Sequence, residues 1–554
     1  MIMKNLSQPN HTQRFLIRGL LAVGLGLLGW LWWRAPMDPE EILIPVPQVK
    51  HLHPMVSLEW DSKAVSNRLS EQPHEAHPGH ALATTHCTPC HLLPSPDQLP
   101  RETWPFVITW MSNYLGYTNL YGPFQNNVDH ALMPEQPMID EAGLQAISEY
   151  YLIHASGEST RGGALQREQP GYLDQFTVKA PPMKLPPDGI ITLAHWDPTR
   201  QQFYIGRGKE RLLQVFNAAG EILLQKTCSS EPVGVSPLPD GFRLSLMGDF
   251  LEDKLMGRVI DVTVSAQESL ESQTRVEGFH RLTQTLSEDL DGDGQPDLLL
   301  VGFGAGVEGR VSIFWGGEEE SGGKETRLLD RAGALCARTT DLNQDGLTDI
   351  LVLTAQQQQE LLLFTQEANK GFNEEVIFKQ FAGYGYNAFD LLDWNQDQRV
   401  DLLVVNGNNM EIRNAPVKDY HGVRVFTQSP TGEFEESFFH PMPGAIKALA
   451  RDFDQDGDLD LAAIGFYPDW SLEHPITFVY LENQGHRGML ASTMRQEHWG
   501  RWLTMDAGDF NQDGFPDLIL GGAYVKHGVD ERFEGTYQAL PHPSLMILEN
   551  IGQP

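Results

Sequence analysis

From about Gly189 to Pro554 the chain alternates short apolar runs with polar or glycine-rich turns, the spacing of strands rather than helices. Leu298 to Val301, Ile350 to Leu353, Leu402 to Val405 and Leu518 to Leu520 each follow an acidic loop, and a further strand comes later, as in Val311 to Phe314 or Met546 to Glu549. Units of four antiparallel strands account for this order. Upstream the period changes. Trp104, Ile108, Met111 and Leu115 recur at helical spacing, and Asp140 and Glu141 open a second helix with Leu144, Ile147 and Tyr151 on one face. Nearest the N-terminus, Phe15 to Trp33 is 19 residues long and, apart from Arg18, uncharged, which predicts a short membrane helix. Arg18 would snorkel, Trp30, Trp32 and Trp33 would sit at the outer interface, and Lys4 and Arg14 would keep the preceding end cytoplasmic. No small-residue cleavage pattern follows the run, so an uncleaved anchor is expected rather than a signal peptide.

These periods divide the 554 residues into a cytoplasmic segment (1–14), a transmembrane anchor (15–34), an extended linker (35–69), a helical unit (70–157), a linker or ring-closing segment (158–188) and a repetitive all-β unit (189–554). Phe176 to Lys179 reads as a short strand that either links the units or closes the ring. The linker and the start of the helical unit carry His51, His53, His74, His77, His80 and His86, whose spacing is that of solvated histidines more than of a metal site.

Acidic residues number 74 against 40 lysines and arginines, a formal charge of -34. Such a surface repels nucleic acid and favours cations or basic protein partners. With four cysteines the chain is no disulfide scaffold, and Cys228 and Cys336 read as small buried side chains.

The acidic residues are patterned. Five loops begin at Asp289, Asp341, Asp393, Asp452 and Asp509, between 52 and 59 residues apart, a period of stacked or radial sheet units. Oxygen side chains fall at positions 1, 3, 5 and 9: Asp289, Asp291, Asp293 and Asp297; Asp341, Asn343, Asp345 and Asp349; Asp393, Asn395, Asp397 and Asp401; Asp452, Asp454, Asp456 and Asp460; Asp509, Asn511, Asp513 and Asp517. Hard oxygen donors this close suit calcium, while zinc would want sulfur or imidazole. Glycine at position 6 permits the tight turn in four loops, and Gln398 replaces it in the third. An EF-hand is similar locally, but its glutamate at position 12 is absent and a strand follows. Four or five calcium ions are expected.

Cys87-Thr-Pro-Cys90-His91 has the spacing of covalent haem c attachment, with two thiols for one porphyrin edge and His91 beneath the iron. A thioredoxin-like pair would need a strand before Cys87, and none is evident. The distal ligand is open between Met111, on the first predicted helix, and Met133 or Met138, in the loop before the second; His130 or an open site completes the choices.

The acidic repeats, with Phe303-Gly304 and Gly457 to Asp460, resemble integrin-alpha-type FG-GAP or VCBS repeats. The resemblance implies a calcium-binding β-propeller, commonly of seven blades. Two decayed copies, at His195 to Asp197 and Gly248 to Phe250, bring the count to seven and lack a full ligand set. The whole chain resembles proteins that join a monohaem cytochrome c domain to such a propeller. The expected fold is thus an N-terminal transmembrane helix, a small all-α cytochrome c-like domain and an all-β propeller. The expected function is a single-pass electron-transfer subunit of the bacterial cytoplasmic membrane, its bulk periplasmic, serving a redox protein or a membrane electron-transfer complex. Two alternatives stand beside it: a haem-linked oxidoreductase with its substrate site on the propeller, and an adhesion or complex-assembly protein. No HExxH, GxSxG or dinucleotide fingerprint supports an enzyme.

Overall fold

A computed structural model describes residues 74–119, 128, 132–155, 170–248, 255–264, 270–304, 308–316, 324–409, 416–526, 528–529 and 531–552. The sheet half is a seven-bladed β-propeller. Blades one to five are four-stranded sheets in simple sequential order, spanning Ile191–Thr227, Pro232–Phe279, Leu282–Leu329, Ala334–Gln380 and Tyr386–Pro441 by their outer limits. Blade six, from Ala445 to Thr493, gains a fifth, parallel strand, Gly171–Tyr172. Blade seven has only three strands of its own. Phe176–Lys179 supplies the fourth by pairing antiparallel with Leu545–Asn550, so chain ends more than 350 residues apart close the ring.

The core lies between blades rather than within any one of them. Each neighbouring pair owns an apolar cluster: Leu213 with Leu244 at the first seam, Val259 with Leu300 at the second, and so on round to Ile205 with Ile519 where the ring closes. This explains the uninterrupted apolar runs. The second strands of blades three to seven are covered on both faces, so all six residues of each are buried, from Asp297–Gly302 to Asp517–Gly522. Near the ring axis, His195 of blade one meets Asp506 of blade seven at 3.0 Å, and Arg338 of blade four meets Asp390 of blade five at 2.8 Å.

Three helices precede the ring: α1 (Pro78–Cys87), α2 (Trp104–Ser112) and α3 (Glu141–His154). Helix α1 falls where the sequence suggested irregular chain; His77 caps it through its Nδ1, which accepts from Gly79 N at 3.1 Å, and Pro78 starts it. Asp140 caps α3 by accepting from Gly143 N. Trp104 stacks on Tyr151 at 4.0 Å and donates to the Pro96 carbonyl at 2.8 Å, so the helices share a small core with Ile108 and Leu144.

Two parts of the expected fold are corrected. The helices do not stand as a distinct all-α cytochrome-like domain: the side of α2 that carries Met111 is closed by the propeller, and Leu92 N donates to the Gln380 carbonyl. Among the described residues no helix is long and apolar enough to cross a membrane, and the segment 15–34 expected to do so lies outside them, as do His51, His53 and His130. The single-pass topology and the inner-membrane partnership therefore have no support in the described fold.

Candidate functional site: acidic loops on one face, a shared pocket on the other

The five acidic loops each join the first strand of a blade to its second, so all lie at one end of the ring. Within a loop the short carboxylates organise the backbone. Asp341 accepts from Asp345 N and Gly346 N at 3.0 and 2.9 Å, Asn343 accepts from Asp345 N, and Asp345 accepts from Leu347 N. Position 4 is left-handed wherever it is glutamine, with φ near 60° at Gln344, Gln396, Gln455 and Gln512. Three of these reach the next blade's loop: Gln396 donates to the Gly457 carbonyl, Gln455 to the Gly514 carbonyl and Gln512 to Gln201 Oε1. The acidic loops of blades five, six and seven are thereby stitched in series. Lys370, from blade four, pairs with Asp291 of blade three at the same end.

Position 9 behaves differently from the rest. Asp297, Asp349, Asp401, Asp460 and Asp517 are all buried. In every case one oxygen accepts from the backbone N–H of position 2 and the other from an N–H at the end of the third strand, as Asp401 does from Trp394 and Gln428. This residue clamps loop to blade. A carboxylate oxygen has more than one lone pair, so the clamp does not prevent it from also facing a cation. Asp289, Asp291 and Asp297, and separately Asp452, Asp454 and Asp456, bring one ligand oxygen each within 4.8 Å of one another. These clusters can coordinate a metal such as calcium. Burial and neighbouring carboxylates raise Asp460 to about 7 and Asp458 and Asp517 to about 6. A cation there would hold such groups ionised.

In blades one and two, whose first-to-second-strand turns lack the acidic set, two buried carboxylates are held by the chain's own donors, Asp197 at the end of the first strand and Asp261 within the third. Asp197 accepts from Thr199 N and Arg200 N. In blade two Asp261 takes a two-pronged contact from Arg243, at 2.7 and 2.9 Å, and a third from Arg275 at 2.6 Å. Burial works against its charge, yet the two guanidiniums hold its carboxyl below the usual range.

At the opposite end of the ring a cavity lies between the helices and blades four and five. Trp104, Trp110 and Met111 line it from α2, and His91 from the turn after α1. Gln356, Gln357, Phe381 and Lys418 line it from the propeller. Cys87 ends α1 and packs beside the helical core, and His91 N bonds back to its carbonyl, so that of the Cys87 to His91 stretch it is His91 that lines the cavity. The His91 ring is buried, and its Nδ1 lies 2.7 Å from the Leu92 carbonyl. A carbonyl only accepts, so Nδ1 carries the proton and Nε2 keeps its lone pair. Burial also lowers the His91 pKa and pushes the Cys87 thiol up to about 11. Of the three methionines considered, Met111 shares the cavity with His91; Met133 packs beside Phe106 and Trp110, and Met138 is half exposed. Cys228 is buried, Cys336 partly so, and neither is bridged. Met111 was among the distal-ligand candidates offered by the sequence, and nothing in the sequence marked Gln356 or Lys418.

The FG-GAP-like repeat family matches the chain three times, over residues 289–352, 341–404 and 393–463. The class is therefore a seven-bladed β-propeller with FG-GAP-like repeats. No curated protein matches the chain. Solved structures share the architecture at low identity. Sqt1 of Saccharomyces cerevisiae is 9% identical, over 70% of this chain and 100% of that one, with a TM-score of 0.39. A chain from a structure of S. cerevisiae Dbp5 bound to Nup159, Gle1, IP6 and ADP is 10% identical, over 68% and 96%, with a TM-score of 0.40. The periplasmic gluconolactonase PpgL of Pseudomonas aeruginosa is 13% identical, over 58% and 90%, with a TM-score of 0.39. At TM-scores this low the likenesses carry no argument, and the fold rests on the strand topology of the chain itself.

These findings correct the functional expectation. What the family model recognises is the repeat of the ring, and no cytochrome c domain is recognised beside it. The expected electron-transfer class and the redox or membrane-complex partner therefore find no support in the recognised repeat or in the described fold.

Proposed function

We propose that this protein is a calcium-stabilised propeller platform that assembles with a protein partner. One observation carries the reading: acidic loops on successive blades are joined side chain to backbone, by Gln396 and Gln455, into one continuous surface. A surface built that way stays rigid only while its carboxylates are neutralised, and four or five calcium ions at positions 1, 3, 5 and 9 would do so. With a formal charge of -34 the rest of the exterior favours a basic partner. Cross-linking of the native protein in its own extract, in calcium and in chelator, tests this. A defined adduct that needs calcium and weakens with salt supports the platform; no adduct in low-salt calcium refutes it.

The pocket belongs to the same proposal as a separate site. His91, with a free Nε2 lone pair, and Met111 in the same cavity, ahead of Met133 and Met138, fit the axial positions of one haem, and Cys87 and Cys90, just before His91 in the chain, would supply its thioether attachment. The reading concerns occupancy of the pocket. A chromophore retained after denaturation, and lost in the Cys87→Ser, Cys90→Ser double variant, supports it; a colourless mature chain made with competent haem-ligation machinery removes it and leaves the platform standing.

A further inference from the structure

We infer that the pocket is a two-part site in which the propeller binds the polar edge of the ligand, so that filling the cavity fastens the helices to blades four and five. The inference rests on the pocket being occupied and adds what the propeller contributes. The helical half offers a flat apolar wall, Trp104, Val107, Trp110 and Met111. Such a wall selects a planar, largely apolar ligand. The propeller half has another chemistry. Gln356 and Gln357 stand in the turn between the second and third strands of blade four, and Lys418 in the corresponding connection of blade five.

Gln356 holds a left-handed backbone, φ 65°, and its side-chain Oε1 is buried with no hydrogen-bond partner. A buried amide oxygen left that way costs about 1–3 kcal/mol, and rotating the amide would only exchange the atom for a donor. Either way the turn presents a polar group that a ligand can complete. Lys418 is 2% exposed, with its ammonium 3.3 Å from the Gly383 carbonyl, and it places positive charge on the same wall. Amide and ammonium together recognise a carboxylate-bearing edge. Around the rim, polar contacts between described residues of the two halves include Leu92 N to the Gln380 carbonyl at 3.4 Å, Lys379 to the Pro89 carbonyl at 3.5 Å, and Gln357 to the Tyr114 hydroxyl. A ligand touching both walls adds to these contacts.

Amide hydrogen exchange on the full chain tests the inference, with the Leu92 amide and the Phe381–Gly383 loop as reporters. Four proteins are compared: wild type, Cys87→Ser with Cys90→Ser, Lys418→Met, and Gln356→Leu. The chromophore should survive both propeller variants, because attachment is at the cysteines, while exchange at the reporters rises about tenfold or more in the emptied protein and in Lys418→Met. Lys418→Arg should restore protection, and Gln356→Leu, at a second point of the same cavity wall, should raise exchange at the reporters as well, which guards against misfolding of the lysine variants. Chromophore retained with reporter exchange unchanged in both propeller variants overturns the two-part site alone. A wild type without chromophore overturns the occupied pocket and this inference together.

Discussion

The two ends of the ring are made from the same strands and are built in opposite ways. At the acidic end every loop is assembled within about a dozen consecutive residues, and its clamp, Asp297 or Asp401, reaches back only seven residues to close it. At the pocket end His91, Met111, Gln356, Phe381 and Lys418 come from five separate segments. Local loops repeat, and blades one and two keep their sheets where the acidic set of the loop is missing. A pocket drawn from distant segments has no spare copy, so its failure should be sharper and more specific.

The largest expected effect is loss of a clamp. Asp401→Ala leaves the Trp394 and Gln428 amides buried without an acceptor and should cost about 2–5 kcal/mol, read by chemical denaturation. Asp289→Ala, whose carboxylate bonds only solvent-exposed loop amides, should cost clearly less in chelator. Equal losses would mean that position 9 is no more than another loop carboxylate.

Calcium removal comes next. Chelator should lower the thermal midpoint of the sheet half by several degrees, as loss of a ligand bound only to the native state does, while leaving the spectrum or exchange of the pocket nearly unchanged. If both ends loosen together, the two are not independent.

A pH effect of intermediate size should appear only without calcium. Folded-state values of about 7 for Asp460 and about 6 for Asp517 lie above the ordinary carboxylate value of about 4. The metal-free folded protein therefore holds protons that the unfolded chain has released. This contribution is full below about pH 4 and is lost as pH rises through 6 and 7. Urea midpoints in chelator should fall over that interval, and saturating calcium should flatten the curve. A flat curve in chelator would show that these carboxylates are ionised in the empty loops.

The smallest effect should come from the stitches. Gln455→Ala removes one exposed hydrogen bond to the Gly514 carbonyl and should cost about 1 kcal/mol or less. Its signature is in titration: calorimetry should show weaker coupling between calcium sites on blades six and seven, with total stoichiometry kept. Unchanged coupling would reduce the stitch to packing.

Much of the acidic end was legible in the chain. Five recurrences of the 1-3-5-9 spacing, followed each time by an apolar run, lead directly to loops, blades and candidate cations, because the hydrogen bonds of positions 1, 3 and 5 that shape each turn stay within the loop. The seven-blade count was legible too, although blades one and two had lost the acidic signal. Helix α1 was not, since Pro78 to Cys87 has little apolar periodicity and its placement depends on packing against α3. Gly79 shows the reason: a Cβ there would stand 2.0 Å from the Ala146 carbonyl oxygen, so close approach and not amphipathicity selects the site.

The sequence by itself determined what a dozen neighbouring residues can satisfy: the turn chemistry of each acidic loop, the strand that follows, and the cysteine and histidine spacing at Cys87 to His91. Tertiary structure alone decided which strand completes blade seven, that position 9 is a buried clamp, and that Lys418 faces the same cavity as His91. Those outcomes depend on groups from other strands, hundreds of residues away in the first case and the last, competing for the same buried space, and local propensity carries no record of which partner fills it.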